Sequence, residues 1–219
     1  MKPGVRSIQY FLLKTEPDEF SIEDLKKSPN STSEWTGIRN AQARNNLCNA
    51  KVGDICFIYH SSCGKNVGIA GTAKVCKESY KAPTAYDRSS QYYDPREAGK
   101  HKSPVLDADA KWKCIDVVYE NSFEPPLLLS SMKEVLGSMK HEDKDIKEKL
   151  SSMQLFRNSR LSVQVVQEGE FNAIKALACR LGIKIVSQST NYHTSAGSQK
   201  HSTKRKLPNS PSEGSHTCT

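Results

Sequence analysis

The sequence has no long hydrophobic run. No apolar stretch approaches the roughly 20 residues that cross a bilayer as a helix. The N-terminal MKPGVRSIQYFLLK has only a short apolar segment before Lys14, which makes a poor secretory signal. An intracellular protein with no membrane partner is expected. The seven cysteines, at 48, 56, 63, 76, 114, 179 and 218, include no CxxC pair. An odd, scattered set suits reduced thiols better than a disulfide framework. No GxxxxGK or GxGxxG string is present, which removes the usual phosphate-cradling loops, and no cofactor is expected. No GxSxG elbow is present to support a hydrolytic serine. Aromatic residues make up 7% of the chain and only two are tryptophan, so the surroundings of Trp35 and Trp112 carry unusual weight.

Basic charge is present in excess. Lys and Arg number 32 against 24 Asp and Glu, a net charge of +8, with an isoelectric point near 9.1 and a mean hydropathy of -0.63. A polyanionic partner fits this balance. Residues 187–219 contain Lys200, Lys204, Arg205 and Lys206 against Glu213, so +3 belongs to that segment and +5 to the rest. Thirteen of those 33 residues are Ser or Thr, too polar to build a core, and the segment reads as a disordered basic tail. Within it Lys204, Arg205 and Lys206 form a candidate nuclear-import cluster.

Before the tail the pattern alternates short strands with short helices. IQYFLLK (8–14) reads as a buried strand. Ser21 with Asp24 forms a capping-box pattern for a short helix that Pro29 stops. Residues 40–50 favour a second short helix, and Gly53-Asp54 turns the chain into the strand DICFIYH. GIAGTAKVCKE (68–78) predicts a strand whose small residues admit close backbone approach. Residues 81–111 form a long surface excursion, and WKCIDVVYENSF returns to strand character. LLLSSMKEVLGSM predicts a helix, KHEDKDIKEKL a charged, solvated insertion, and RLSVQVV the last clear strand. Phe171, Ile174, Leu177 and Leu181 then lie at helical spacing, closed by Gly182. Many short strands with a few helices predict an α+β, mainly β barrel with short peripheral helices.

Several residue groups could carry chemistry. His60 beside Ser61, with Asp54 and Glu16 available, has the residue types of a triad. Adjacent strand residues point to opposite faces, however, so His60 is expected to make one hydrogen bond at a strand end. Cys56, His60 and Cys63 lack the fourth ligand and the paired spacing of a structural zinc site, so no metal is expected. The stretch EWTGIRNAQARNNL (34–47) sets Trp35 among amides and guanidinium groups. With Tyr59, Ser61 and Trp112 these groups match what holds an unstacked base: an aromatic face, and planar donors and acceptors for its polar edge.

Six blocks, LKTEP (13–17), WTGIRNAQARNNL (35–47), KVGDICFIYHSS (51–62), VGIAGTAKV (67–75), YYDP (92–95) and SRLSVQVV (159–166), occur in the order found in EVE domains. The chain resembles that family from about Tyr10 to Ala178. The resemblance implies a PUA-like β-barrel domain over residues 8–186, after a flexible N-terminus (1–7) and before the tail (187–219). It also implies a non-catalytic module that reads a modified base, 5-methylcytosine or 5-hydroxymethylcytosine being favoured, flipped out of DNA or RNA into a pocket. By analogy the pocket would take Lys14 and Glu16 at its mouth and Trp35, Gly37, Arg39 and Asn40 as its wall. Tyr59, His60 and Ser61 would adjoin, with Arg160, Ser162 and Gln164 close by. Arg44 and Lys65 are phosphate-contact candidates. The chain departs from the family pattern at Thr36, where Asp is usual, at Ala41, where an aromatic is frequent, and at Val166, near which a proline is common. Two other readings stay open. One is an enzyme acting on nucleic acid or a nucleotide through Glu16, His60 or a cysteine. The other is an interaction adaptor that has lost base binding, to which Thr36 and Ala41 would point. A monomer in the nucleus, with the cytoplasm left open, is expected.

Overall fold

β1 (Tyr10–Thr15) lies inside the sheet because Phe11, Leu12 and Leu13 are buried on both of its faces. An uninterrupted apolar run, unlike an alternating one, suits a strand covered on each side. The computed structural model describes residues 6–100 and 109–187. Residues 1–5 of the expected flexible N-terminus lie outside the described residues, as does the expected tail after Ser187 with Lys204, Arg205 and Lys206. Among the described residues, no helix is long and apolar enough to cross a membrane.

The chain continues through α1 (Ile22–Lys27), β2 (Thr32–Trp35), α2 (Ala41–Asn49), β3 (Ile55–His60) and β4 (Gly68–Lys81). It then passes through α3 (Pro95–Ala98), β5 (Lys113–Leu128), α4 (Leu129–Gly137), α5 (Lys144–Ser152), α6 (Gln154–Arg157), β6 (Val163–Val166), α7 (Glu168–Arg180) and β7 (Lys184–Ser187). The expected capping box forms at α1: the Ser21 hydroxyl accepts from Asp24 N–H, and the Asp24 carboxylate accepts from Ser21 N–H. Each side chain thereby satisfies a donor the helix itself leaves unpaired.

The strands make one mixed sheet in the order β2-β5-β4-β3-β1-β6, with β7 pairing β5. β1 and β3 are parallel, which places Leu12 beside Phe57 and Lys14 beside Tyr59. The remaining pairs are antiparallel. β4 and β5 approach closely where β4 carries glycine: a β-carbon on Gly71 would stand 2.1 Å from the Asn121 carbonyl oxygen. Alternation along β1 and β3 divides the interior into two cores. Phe11, Leu13, Cys56 and Ile58 face Leu25 of α1 and Ala43 and Leu47 of α2. Leu12, Phe57, Tyr59 and Ile69 face helices α4 to α7.

The mainly β architecture with peripheral helices is as the sequence led one to expect, with one difference in closure. Among the described residues the sheet stays open between β2 and β6, and α2 packs against β6 and β5. Its Ala43 and Leu47 are buried in the first core, and the Asn46 side chain donates to the Val163 carbonyl at 2.9 Å, taking up part of β6's open edge. Three local expectations are corrected. KHEDKDIKEKL is no loose insertion, since α5 buries Leu150 and Arg180 pairs with Asp143 beside it. RLSVQVV is followed by a further strand, β7, which pairs antiparallel with residues 121–124 of β5. Leu181 lies past the last turn of α7 and is 49% exposed.

Candidate functional site

Because β1 and β3 run parallel and end together, Lys14-Thr15 and Tyr59-His60 emerge side by side at one end of the sheet. There the two cores separate around an open cavity of about 1110 Å³. The strand ends and their turns contribute Lys14, Glu16, Tyr59, Ser61 and Ser62. β2 and the loop after it contribute Glu34, Trp35 and Gly37, and the 81–111 excursion contributes Gln91 and Tyr92. Lys133 of α4, Phe156 of α6 and the link Ser159, Arg160 and Ser162 complete the wall.

Lys14 stands at the centre of this arrangement. Its Nζ donates to the Ser159 carbonyl at 2.7 Å and lies 5.3 Å from the Tyr59 ring centroid. Burial disfavours the charged form and lowers its pKa to about 8. Tyr59 is pushed the other way, to about 12, by burial first and the nearby Cys63 second. Among the described residues no protein group hydrogen-bonds the Tyr59 hydroxyl, which leaves it available in the cavity. Glu16 accepts from the Ser62 hydroxyl at 2.8 Å, and the Ser61 hydroxyl donates to the Thr15 carbonyl at 3.1 Å, so both rims are tied down. Lys14, Lys133 and Arg160 are matched by Glu16, Glu19 and Glu34. A lining balanced in this way is no trap for a free anion, and it suits a near-neutral planar group with a polar edge.

Of the residues singled out in the sequence, Lys14, Glu16, Trp35, Gly37, Tyr59, Ser61, Arg160 and Ser162 line the cavity. Trp35 does so as a wall: it is 5% exposed and meets Phe20 edge-on at 6.3 Å. Arg39, Asn40, His60 and Gln164 are engaged elsewhere. Asn40 caps α2, its Oδ1 accepting from Ala43 N–H at 3.0 Å. His60 Nε2 accepts from Ile22 N–H at 3.0 Å at the start of α1, and burial lowers its pKa. Gln164 is buried and donates to the carbonyls of Asn158 and Leu161, which shapes the turn before β6. Arg39 donates to the Tyr92 carbonyl and lies over Trp112. Arg44 also lies over Trp112, and Lys65 is exposed in the turn Gly64–Asn66. Cys56 is wholly buried and burial raises its pKa, so it is a packing residue.

Sequence reasoning missed Tyr92, Phe156 and Lys133. Tyr92 was within reach, since it belongs to the YYDP block, but Gly37, which it meets, is far away in the chain and no local pattern announces the pairing. Gly37 has φ +78°, and a β-carbon there would stand 2.8 Å from Tyr92 Cε1. The ring therefore lies directly on the bare backbone of the loop after Trp35. The described part of the excursion that carries it, residues 81–100, is anchored at several points. Thr36 and Thr84 share a 2.8 Å hydrogen bond, Asp94 N–H donates to the Ala85 carbonyl, and Trp112 Nε1 donates to Asp94 Oδ2 at 2.9 Å. Ala41 is exposed on the first turn of α2 and does not reach the lining, so its small side chain leaves no gap in the cavity wall.

Comparison with known proteins agrees over most of the chain. The family model for the EVE domain matches residues 9–177. Thymocyte nuclear protein 1 of Mus musculus is 37% identical over 183 residues, covering 80% of this chain and 75% of the relative. Among solved structures, a hypothetical protein from Leishmania major superposes with a TM-score of 0.65 at 35% identity, covering 80% of this chain and 98% of the other. Human THYN1 protein, solved in complex with 5-methylcytosine containing DNA, superposes with a TM-score of 0.66 at 34% identity, covering 78% of this chain and 97% of the other.

Proposed function

The chain belongs to the EVE domain family, and on that premise we propose that it is a non-catalytic DNA-binding module that holds one extruded, modified base in the cavity. The observation that carries this reading is the pairing of an aromatic face, Tyr92 on Gly37, with polar groups that have donors to spare, the Tyr59 hydroxyl and Lys14 ammonium, around one open cavity. Stacking one base on an aromatic ring contributes about 1–3 kcal/mol. The Tyr59 hydroxyl and the remaining Lys14 donors address the polar edge of the base, which stacking alone cannot read. A 5-methyl group that reaches apolar wall adds on the order of 1 kcal/mol, a several-fold preference. The complex of human THYN1 protein with 5-methylcytosine containing DNA supports 5-methylcytosine as the first ligand to test, with 5-hydroxymethylcytosine second.

The enzyme alternative has less to work with. His60 uses its Nε2 on the helix start, and Ser61 donates to a carbonyl, so neither is poised as base or nucleophile. A monomeric, nuclear protein is part of the same reading, supported for the nucleus by the name of the mouse relative. Replacing Lys204, Arg205 and Lys206 with alanine and imaging the protein tests the nuclear assignment.

Titrating the purified chain with matched oligonucleotides carrying cytosine, 5-methylcytosine, 5-hydroxymethylcytosine or N6-methyladenine tests the base assignment. Tyr92→Ala and Lys14→Gln serve as pocket variants, and mass spectrometry of the recovered DNA monitors turnover. Preference for a modified cytosine that both variants lose supports the reading. Equal affinity for all four oligonucleotides, or an altered product, would refute it.

A further inference from the structure

Trp112, the second tryptophan, lies outside the cavity and gathers cations. The Arg39 guanidinium is 4.4 Å from its ring centroid, Lys111 Nζ is 4.5 Å away, and the Arg44 guanidinium is 5.5 Å away. They arrive from the loop before α2, from α2 itself and from the approach to β5, so only the tertiary fold brings them together. Among the described residues none of the three forms an ion pair with a carboxylate. Asp94, an acid that feels the Arg39 charge, is already engaged. Its oxygens accept from Glu97 N–H, Trp112 Nε1 and Arg96 N–H, which, led by Glu97 N–H, hold its carboxyl below the usual range. Three like charges gathered without a direct ion pair, and with Asp94 as the neighbouring carboxylate, repel one another and gain from an external anion.

The cluster adjoins the cavity. Arg39 donates to the Tyr92 carbonyl, and the same Tyr92 presents its ring to the cavity over Gly37. The charges lining the cavity cancel, so attraction for a nucleic-acid backbone has to come from outside it. A guanidinium lying over an indole keeps edge N–H groups free for phosphate oxygens.

We propose that Arg39, Arg44 and Lys111, assembled on Trp112, bind the phosphodiester backbone next to the nucleotide whose base enters the cavity. The inference rests on the reader assignment above and adds the face along which the strand runs. Arg39 has a second duty, fixing the backbone of Tyr92, so Arg44 and Lys111 are the residues to vary.

The experiment measures Kd of the full chain for duplexes with cytosine or 5-methylcytosine across a series of salt concentrations. The proteins are wild type, Arg44→Gln/Lys111→Gln, the single Lys111→Glu at an exposed site, and the charge-preserving Arg44→Lys. Each phosphate deprived of its cation lowers the slope of log K against log salt by roughly 0.9. The double variant should therefore lower the slope by about 1.8, with equal weakening for the two duplexes, so that the ratio of their affinities is kept. Lys111→Glu should lower the slope and Arg44→Lys should hold it. An unchanged slope with a lower melting temperature would mean that the cations only brace Trp112, and the proposal would fail. Wild-type chain that binds neither duplex also overturns it. Binding without base preference, but with the expected fall in slope, removes the base reading and leaves the backbone site standing.

Discussion

Gly37→Ala tests the geometry of the cavity mouth most directly, because one added methyl acts on both backbone and ring. At φ +78° an alanine occupies the left-handed region, which costs about 1–2 kcal/mol for a residue with a β-carbon. The same β-carbon would lie 2.8 Å from Tyr92 Cε1 and 3.1 Å from Cδ1, too close for the ring to remain in place. Tyr92 is half-buried and sits on an excursion, so its side chain has room to swing aside at less cost than a core ring would incur. The expected loss of stability is therefore the backbone strain, about 1–2 kcal/mol in urea denaturation. The expected loss of DNA affinity is the stacking contribution, about 1–3 kcal/mol, or roughly 5- to 150-fold in Kd. The decisive assay is a double-mutant cycle with Tyr92→Ala, read by fluorescence titration against duplex DNA carrying 5-methylcytosine. If Gly37→Ala acts by displacing the ring, its effect on affinity disappears in the Tyr92→Ala background while its effect on stability persists. Wild-type affinity in Gly37→Ala, or losses that add in the double variant, would refute the idea that glycine is needed there to seat the ring.

Four further outcomes follow from the same geometry. Lys14 has its pKa lowered by burial to about 8, against 10.5 when free, so between those values the unfolded chain binds the proton more strongly and stability rises with pH. Below pH 8 both states are protonated and the full penalty of the buried charge applies; Lys14→Met should abolish that rise in denaturation curves from pH 7 to 11. In wild type, affinity for DNA should fall as pH passes through about 8 and the ammonium loses its charge, a dependence that a Lys14→Gln titration series should lack. Asn40→Ala removes the cap of α2 and should lower stability by about 1 kcal/mol while leaving the preference for one base over another unchanged. Changed base preference in that variant would restore Asn40 to the binding site. Leu150→Ala should cost about 2–5 kcal/mol in chemical denaturation, because α5 is packed against the core; a cost below about 1 kcal/mol would show that the segment is solvated.

Local grammar accounts for what was legible. Ser21 and Asp24 three residues apart specify the start of α1 wherever that helix lies, because a capping box is satisfied within its own turn. The apolar run of β1 and the small residues of β4 likewise state how closely other chain segments approach them. The family resemblance points to Lys14 and Tyr59, each one residue before the end of its strand, and parallel pairing of β1 and β3 brings the two together. α5 was obscured by its charge, because one buried leucine on a lysine-rich helix gives a weak periodic signal.

EWTGIRNAQARNNL announces a dense set of planar groups but not their directions. A helix start takes Asn40 for its own unpaired N–H, a bare backbone at Gly37 receives Tyr92, and Arg39 and Arg44 turn toward Trp112. Reading the residues in order was enough for the family, the strand and helix signals and the excess of basic charge, all of which depend on near neighbours in the chain or on composition. Folding in three dimensions settled which groups share a cavity, which are spent on caps and turns, and which cations lie together without a direct ion pair. Those outcomes depend on packing between segments separated by tens of residues, which no local pattern in the chain encodes.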